Sequence, residues 1–126
     1  MSETPNIEQE TTTTFGGPVV VAVALHGDQV GGGWGRAPQV AVATIDGATI
    51  RSWEVHDVRW DVAHDEGGEG AHHARVVRFL RDNGVQVVVT GHMGPPMQNT
   101  LGKLGIRVVM GVIGDPRLAA IDAANP

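Results

Sequence analysis

The chain has 126 residues, enough for one domain with a single core, and its 41% hydrophobic and 18% charged residues describe a soluble globular protein. A net charge of −5 with scattered Lys and Arg leaves no basic footprint for nucleic acid, and the lack of cysteine removes disulfides, thiolate ligands and cysteine nucleophiles. Eighteen glycines without a collagen-like period point to loops that turn sharply or approach something closely.

Residues 1–17, MSETPNIEQETTTTFGG, are polar, Thr-rich and aperiodic, so a disordered tail is expected ahead of one domain over 18–126. The N-terminus lacks a basic region followed by an apolar core, and the longest apolar run is too short to cross a bilayer. No signal peptide, no membrane contact and a cytoplasmic location are the expectations. PVVVAVAL (18–25) is a continuous apolar run, as expected of a central strand buried on both faces. HGDQVGGGWGRAP (26–38) predicts a long Gly-rich loop. QVAVATI and ATIRSWEV flank Asp46-Gly47, which predicts two antiparallel strands, 39–45 and 48–56, joined by a type I′ turn. DVRWDVAHDEGGEG (57–70) is expected to be irregular.

AHHARVVRFLRDN (71–83) predicts a helix with His73, Val76, Val77 and Leu80 on its buried face and His72 turned towards Phe79. Gly84 stands where a left-handed cap belongs. VQVVVTG (85–91) is a second buried strand. Pro95 or Pro96 suits the first turn of a helix that carries Met97, Thr100, Leu101 and Leu104 on one face and stops at Gly105. IRVVM (106–110) is a fifth strand, and Asp115-Pro116 reads as an N-cap with Pro at the first position of a final helix over 116–124. A hairpin followed by helix-crossed strands gives an α/β fold with a mixed sheet covered by helices.

Two stretches together are similar to a known family. GGGWGRAPQVAVATID resembles the FGRAP loop-and-strand signature of the dinitrogenase iron–molybdenum cofactor family. NGVQVVVTGHMGPPMQNTLGKLGIRVV resembles that family's second half: strand, Gly-x-x-Gly-Pro turn, helix and a Gly-Ile-x-Val strand. The likeness runs from Val19 to Ala124. It implies a ribonuclease-H-like, five-stranded sheet of order 3-2-1-4-5 with the second strand antiparallel to the others. It also implies the binding or carrying of metal clusters during nitrogenase cofactor biosynthesis. Positions 72, 73 and 92 are commonly small or aliphatic in the family, whereas this chain has His at all three.

In a sheet of that order, ligands bind outside the carboxyl ends of the first and fourth strands, where the chain departs in opposite directions. His26 follows the first strand, His92 follows the fourth, and His56 closes a strand running to the same edge. His64 lies in the loop beyond, and His72 and His73 begin the helix that descends from it. All six histidines therefore map to one end of the molecule. Neutral imidazole suits zinc, copper, iron and nickel. His26, His73 and His92 are the expected metal ligands, with His72 next. Met93 is either a soft thioether ligand, which would favour Cu(I), or a packing residue, and Met97 is expected to pack.

The backbone of Gly33, Gly35, Gly91 and Gly94 can approach an anionic guest beside two helix N-termini, with Arg36 as the fixed positive charge. Trp34, between glycines, is expected to be an exposed flap over the site or an anchor facing a partner. The implied guest is a transition metal ion or a metal–sulfur cluster containing iron, with molybdenum and copper as further candidates.

No carboxylate lies within PVVVAVAL or VQVVVTG, which argues against a Mg²⁺-dependent nuclease. The serines, Ser2 and Ser52, do not suit a catalytic triad. The leading expectation is a non-enzymatic carrier working with a metal-donor or acceptor protein, as a monomer or a weak homodimer paired through an edge strand such as 50–55. Two alternatives stay open. One is a metal-dependent hydrolase with Asp28, Asp57, Asp65 or Glu69 orienting histidines; the other is a regulatory module without metal.

Overall fold

The computed structural model describes residues 17–63 and 67–126. The strands are β1 (Val19–His26), β2 (Gln29–Val30), β3 (Gln39–Asp46), β4 (Thr49–His56), β5 (Val87–Val89) and β6 (Arg107–Val109). The helices are α1 (Trp60–Ala63), α2 (Gly68–Asp82), α3 (Pro95–Lys103) and α4 (Pro116–Ala124), and a 3₁₀ turn spans Trp34–Arg36. The predicted tail and His64 fall largely or wholly outside the described residues.

β1 is the centre of the sheet because its residues are apolar on both faces. It pairs antiparallel with β3, from Val19↔Ile45 to Leu25↔Gln39, and parallel with β5, from Val21↔Val87 to Val23↔Val89. On one face Ala22, Ala24, Val40 and Val88 pack with Val76 and Leu80 of α2 and Leu101 of α3. On the other, Val21, Val23, Ala41 and Val89 pack with Ala120 and Ala123 of α4. Burying both faces removes the polar alternation that one solvated face would impose on the strand.

The strand order is β4-β3-β1-β5-β6, with β3 antiparallel to its neighbours, which is the five-strand order the resemblance implied. The sheet nevertheless has six strands, not five. The additional one, β2, lies inside the predicted Gly-rich loop and pairs with β1 at Leu25↔Val30 and His26↔Gln29. Two residues carry no periodicity to read; what fixes them is the burial of Val30 and its N–H donating to Gly114 O at 2.9 Å. The hairpin turn also differs. Asp46 is still paired, with Thr49, so Gly47 and Ala48 form the turn. Only Gly47 has positive φ (62°), the pattern of a type II′ rather than a type I′ turn.

α2 begins at Gly68, so His72 and His73 stand in its second turn rather than its first. Its buried residues are His72, Val76 and Leu80: Val76 and Leu80 stand on the expected face, whereas His72 takes the inward place expected of His73, and Val77 is only half-buried. His73 is half-buried as well. α1 occupies part of the stretch expected to be irregular. The later helices start as their caps predict: Pro95 and Pro96 fill the first positions of α3, and the Asp115 carboxylate accepts from Arg117 N–H (2.9 Å) and Leu118 N–H (3.4 Å) at α4. Among the described residues no helix is long and apolar enough to cross a membrane.

Candidate functional site

β1 and β5 lie side by side and parallel, and the segments that follow them are stitched together at the carboxyl end of the sheet. Gly33 and His92 form a parallel bridge: His92 N–H donates to Gly32 O at 3.0 Å and Trp34 N–H donates to His92 O at 2.8 Å. Thr90, fully buried, places its hydroxyl 3.3 Å from Gly32 O and 3.2 Å from His92 O. Gly91 is required by this approach, since a Cβ there would sit 2.9 Å from both Gly32 N and Gly32 O. The Gly-rich loop is thus tied to the strand end by main-chain bonds.

Trp34 corrects the expectation of an exposed flap or partner anchor, for it is completely buried. Its ring meets Trp60 edge-on at 5.2 Å, and Trp60 in turn meets Phe79 at 5.5 Å and His72 at 6.3 Å. The aromatic chain ties the 3₁₀ turn to α1 and α2 and so gives the indole an interior to occupy. Its Nε1–H is buried without a hydrogen-bond partner among the described residues. Such an orphan donor costs about 1–3 kcal/mol.

A cavity of about 510 Å³ opens beside the stitched loops. The 3₁₀ segment contributes Gly33, Trp34, Gly35 and Arg36; the start of α2 contributes Gly68, Glu69, His72 and His73; the β5–α3 segment contributes His92, Met93, Gly94, Pro96 and Met97. Met93 (2% exposed) and Met97 (6%) belong to the adjoining core and give the cavity an apolar, polarisable wall. Arg36 and Glu69 are the charged residues of the lining, and both are exposed.

Of the residues singled out in the sequence, Gly33, Trp34, Gly35, Arg36, His72, His73, His92, Met93 and Gly94 line this cavity. His26 and Gly91 do not. His26 is exposed, and its ring lies against Gly32, where a Cβ would come within 2.4 Å of Nε2. Gly91 contributes through the close approach just described. His56 is also elsewhere, edge-on to Phe79 at 5.2 Å with Nε2 3.6 Å from Glu54 Oε1.

His72 is tied at both ring nitrogens: Nε2 lies 2.8 Å from Gly35 O and Nδ1 lies 3.0 Å from Arg75 Nη1. Among the described residues no three of His, Cys, Asp and Glu converge closely enough to cage a metal ion. Thr90, Trp60 and Arg75 build the site without having been singled out. A Thr that ends an apolar strand at the switch point was the readable signal for the first, and the other two had none.

The profile of the family described as Dinitrogenase iron-molybdenum cofactor matches residues 17–125, and the chain belongs to that family. Solved structures share its fold. PH0822 is 24% identical, with 84% of this chain and 88% of that chain covered and a TM-score of 0.66. The apo form of the orange protein from Desulfovibrio gigas is 23% identical, with 85% and 87% covered and a TM-score of 0.62. The protein mj0327 of Methanocaldococcus jannaschii is 12% identical, with 82% and 86% covered and a TM-score of 0.61. No curated protein matches the chain.

Proposed function

We propose that this protein is a non-enzymatic carrier that takes a metal–sulfur cluster into the cavity at the carboxyl end of the sheet and hands it to a partner protein. The observation that carries this reading is the cavity itself, where His73 and His92 meet a glycine-lined backbone, Arg36 and two methionines. Two imidazoles hold a bare ion only weakly, and the described residues offer no group of three His, Cys, Asp or Glu to complete its coordination. A cluster brings its own sulfide ligands, so two imidazoles and a few backbone donors suffice to hold it. Its polarisable sulfides suit a wall of Met93 and Met97, and its negative charge suits Arg36 and the closely approaching glycine-lined backbone. Iron and molybdenum are the metals the family description names, and copper is a further candidate through the soft thioether of Met93.

The test is anaerobic reconstitution with ferrous iron, sulfide and molybdate, followed by desalting and elemental analysis. Wild-type protein should retain metal and sulfide. The His73→Ala/His92→Ala double variant should retain less than about a tenth as much, the loss expected when ligands rather than surface charges are removed. His26→Ala should load like wild type. Equal loading of the double variant and the wild type would end the proposal.

A further inference from the structure

His72 borders the cavity and carries the right chemistry for a ligand, yet its surroundings give it another task. Gly35 O can only accept, so the ring nitrogen 2.8 Å from it, Nε2, carries the proton. The Arg75 guanidinium can only donate, so Nδ1, 3.0 Å away, presents its lone pair to it. The same Arg75 nitrogen donates to Ala63 O at 3.1 Å, which braces the guanidinium from the far side. The imidazole is 8% exposed and stands edge-on to Trp60. A metal at Nε2 would have to replace the bond to Gly35 O, and a metal at Nδ1 would have to displace a guanidinium and sit beside it. Both nitrogens are committed to holding the wall.

We propose that His72 is a positioning residue: as the neutral Nε2–H tautomer it pins the Gly33–Arg36 turn to α2 and sets the width of the cavity, and it does not coordinate the guest. The reference to a guest rests on the carrier reading above; the tautomer and the pinning do not.

The experiment is long-range ¹H–¹⁵N NMR of the histidine rings in the full chain, before and after addition of zinc ion as a diamagnetic probe. His72 should show the Nε2–H pattern and keep it, while the His73 and His92 signals shift. Two variants complete the test. Gln at 72 has an amide N–H to offer Gly35 O and a carbonyl to accept from Arg75, so His72→Gln should retain zinc affinity. His72→Ala should weaken it roughly tenfold or more, the loss typical when a group that orients a site is removed. His72→Ala should also lose hydrogen-exchange protection at the amides of residues 35–37, and His72→Gln should keep it. A His72 signal that moves with His73 and His92, or a Gln variant as impaired as the Ala variant, overturns the proposal. If no histidine responds to zinc, the carrier reading loses its histidines; a persistent Nε2–H tautomer with a protection difference between the variants still supports the pinning role.

Discussion

Three histidines border the cavity, and their ring nitrogens are in different circumstances. His72 has both engaged, whereas His73 is half-buried and His92 is exposed at the end of the bridge to Gly33. The glycines divide in the same way. At Gly91 a methyl group would press on Gly32 backbone that cannot move without breaking the His92–Gly32 bond, so Gly91→Ala should cost about 1–3 kcal/mol of stability in a denaturant titration. At Gly94 the nearest atom to an added Cβ is Pro96 Cδ at 3.8 Å, an ordinary contact, and Gly94→Ala should stay within about 1 kcal/mol of wild type. Equal effects at the two positions would remove the argument that Gly91 is there for close approach. Trp34→Phe sets two effects against each other: lost ring volume destabilises, and removal of the orphan Nε1–H stabilises by about 1–3 kcal/mol. The net change should fall within about 1 kcal/mol, well short of the 3–5 kcal/mol typical of deleting a buried tryptophan side chain. A loss in that larger range would mean the N–H has a partner.

Elements with a repeating pattern were legible and those set by a single contact were not. β1 and β5 announced themselves as apolar runs, β3 and β4 by the Asp46-Gly47 pair between them, and α3 and α4 by Pro and Asp at their starts. β2 exists because Val30 is buried and bonded to Gly114, and α1 because Trp60 N–H finds Ala37 O at 3.0 Å; both depend on partners distant in the sequence. In α2 the buried histidine is His72 rather than the expected His73, because its bond to Gly35 O joins residues far apart in the chain and helical periodicity does not encode it. With both nitrogens bonded, His72 can be buried ahead of Val76. The turn into α1 carries a cost of its own. Arg59 has φ of 53°, a left-handed conformation that a side chain disfavours by about 1–2 kcal/mol. Arg59→Gly should therefore raise the denaturant midpoint with the slope unchanged, corresponding to about 1 kcal/mol after the entropic penalty of glycine. An unchanged or lowered midpoint would show that the arginine side chain repays the strain through its contacts.

At the scale of the whole molecule, one topological fact organises the rest. Parallel β1 and β5 deliver their following segments to the same edge, and the two segments are bonded to each other before either reaches a helix. The sequence pointed to that edge by placing histidines from distant stretches there, of which His64 lies outside the described residues. It did not reveal which of them share a cavity. The partition depends on the bond between Gly32 and His92, which has His26 beside Gly32 and leaves His92 lining the cavity with His72 and His73. No local pattern encodes a contact between residues so far apart along the chain. A carrier of this kind must hold metal in that space in the cell. Protein isolated anaerobically from its native source and crystallised should give anomalous-scattering peaks at the iron or molybdenum edge between Gly35, His73 and His92, with more than one metal in the cluster. Crystals that contain metal solely at His26, His56 or the surface, or fully formed crystals of native protein with no anomalous peak at all, would contradict it.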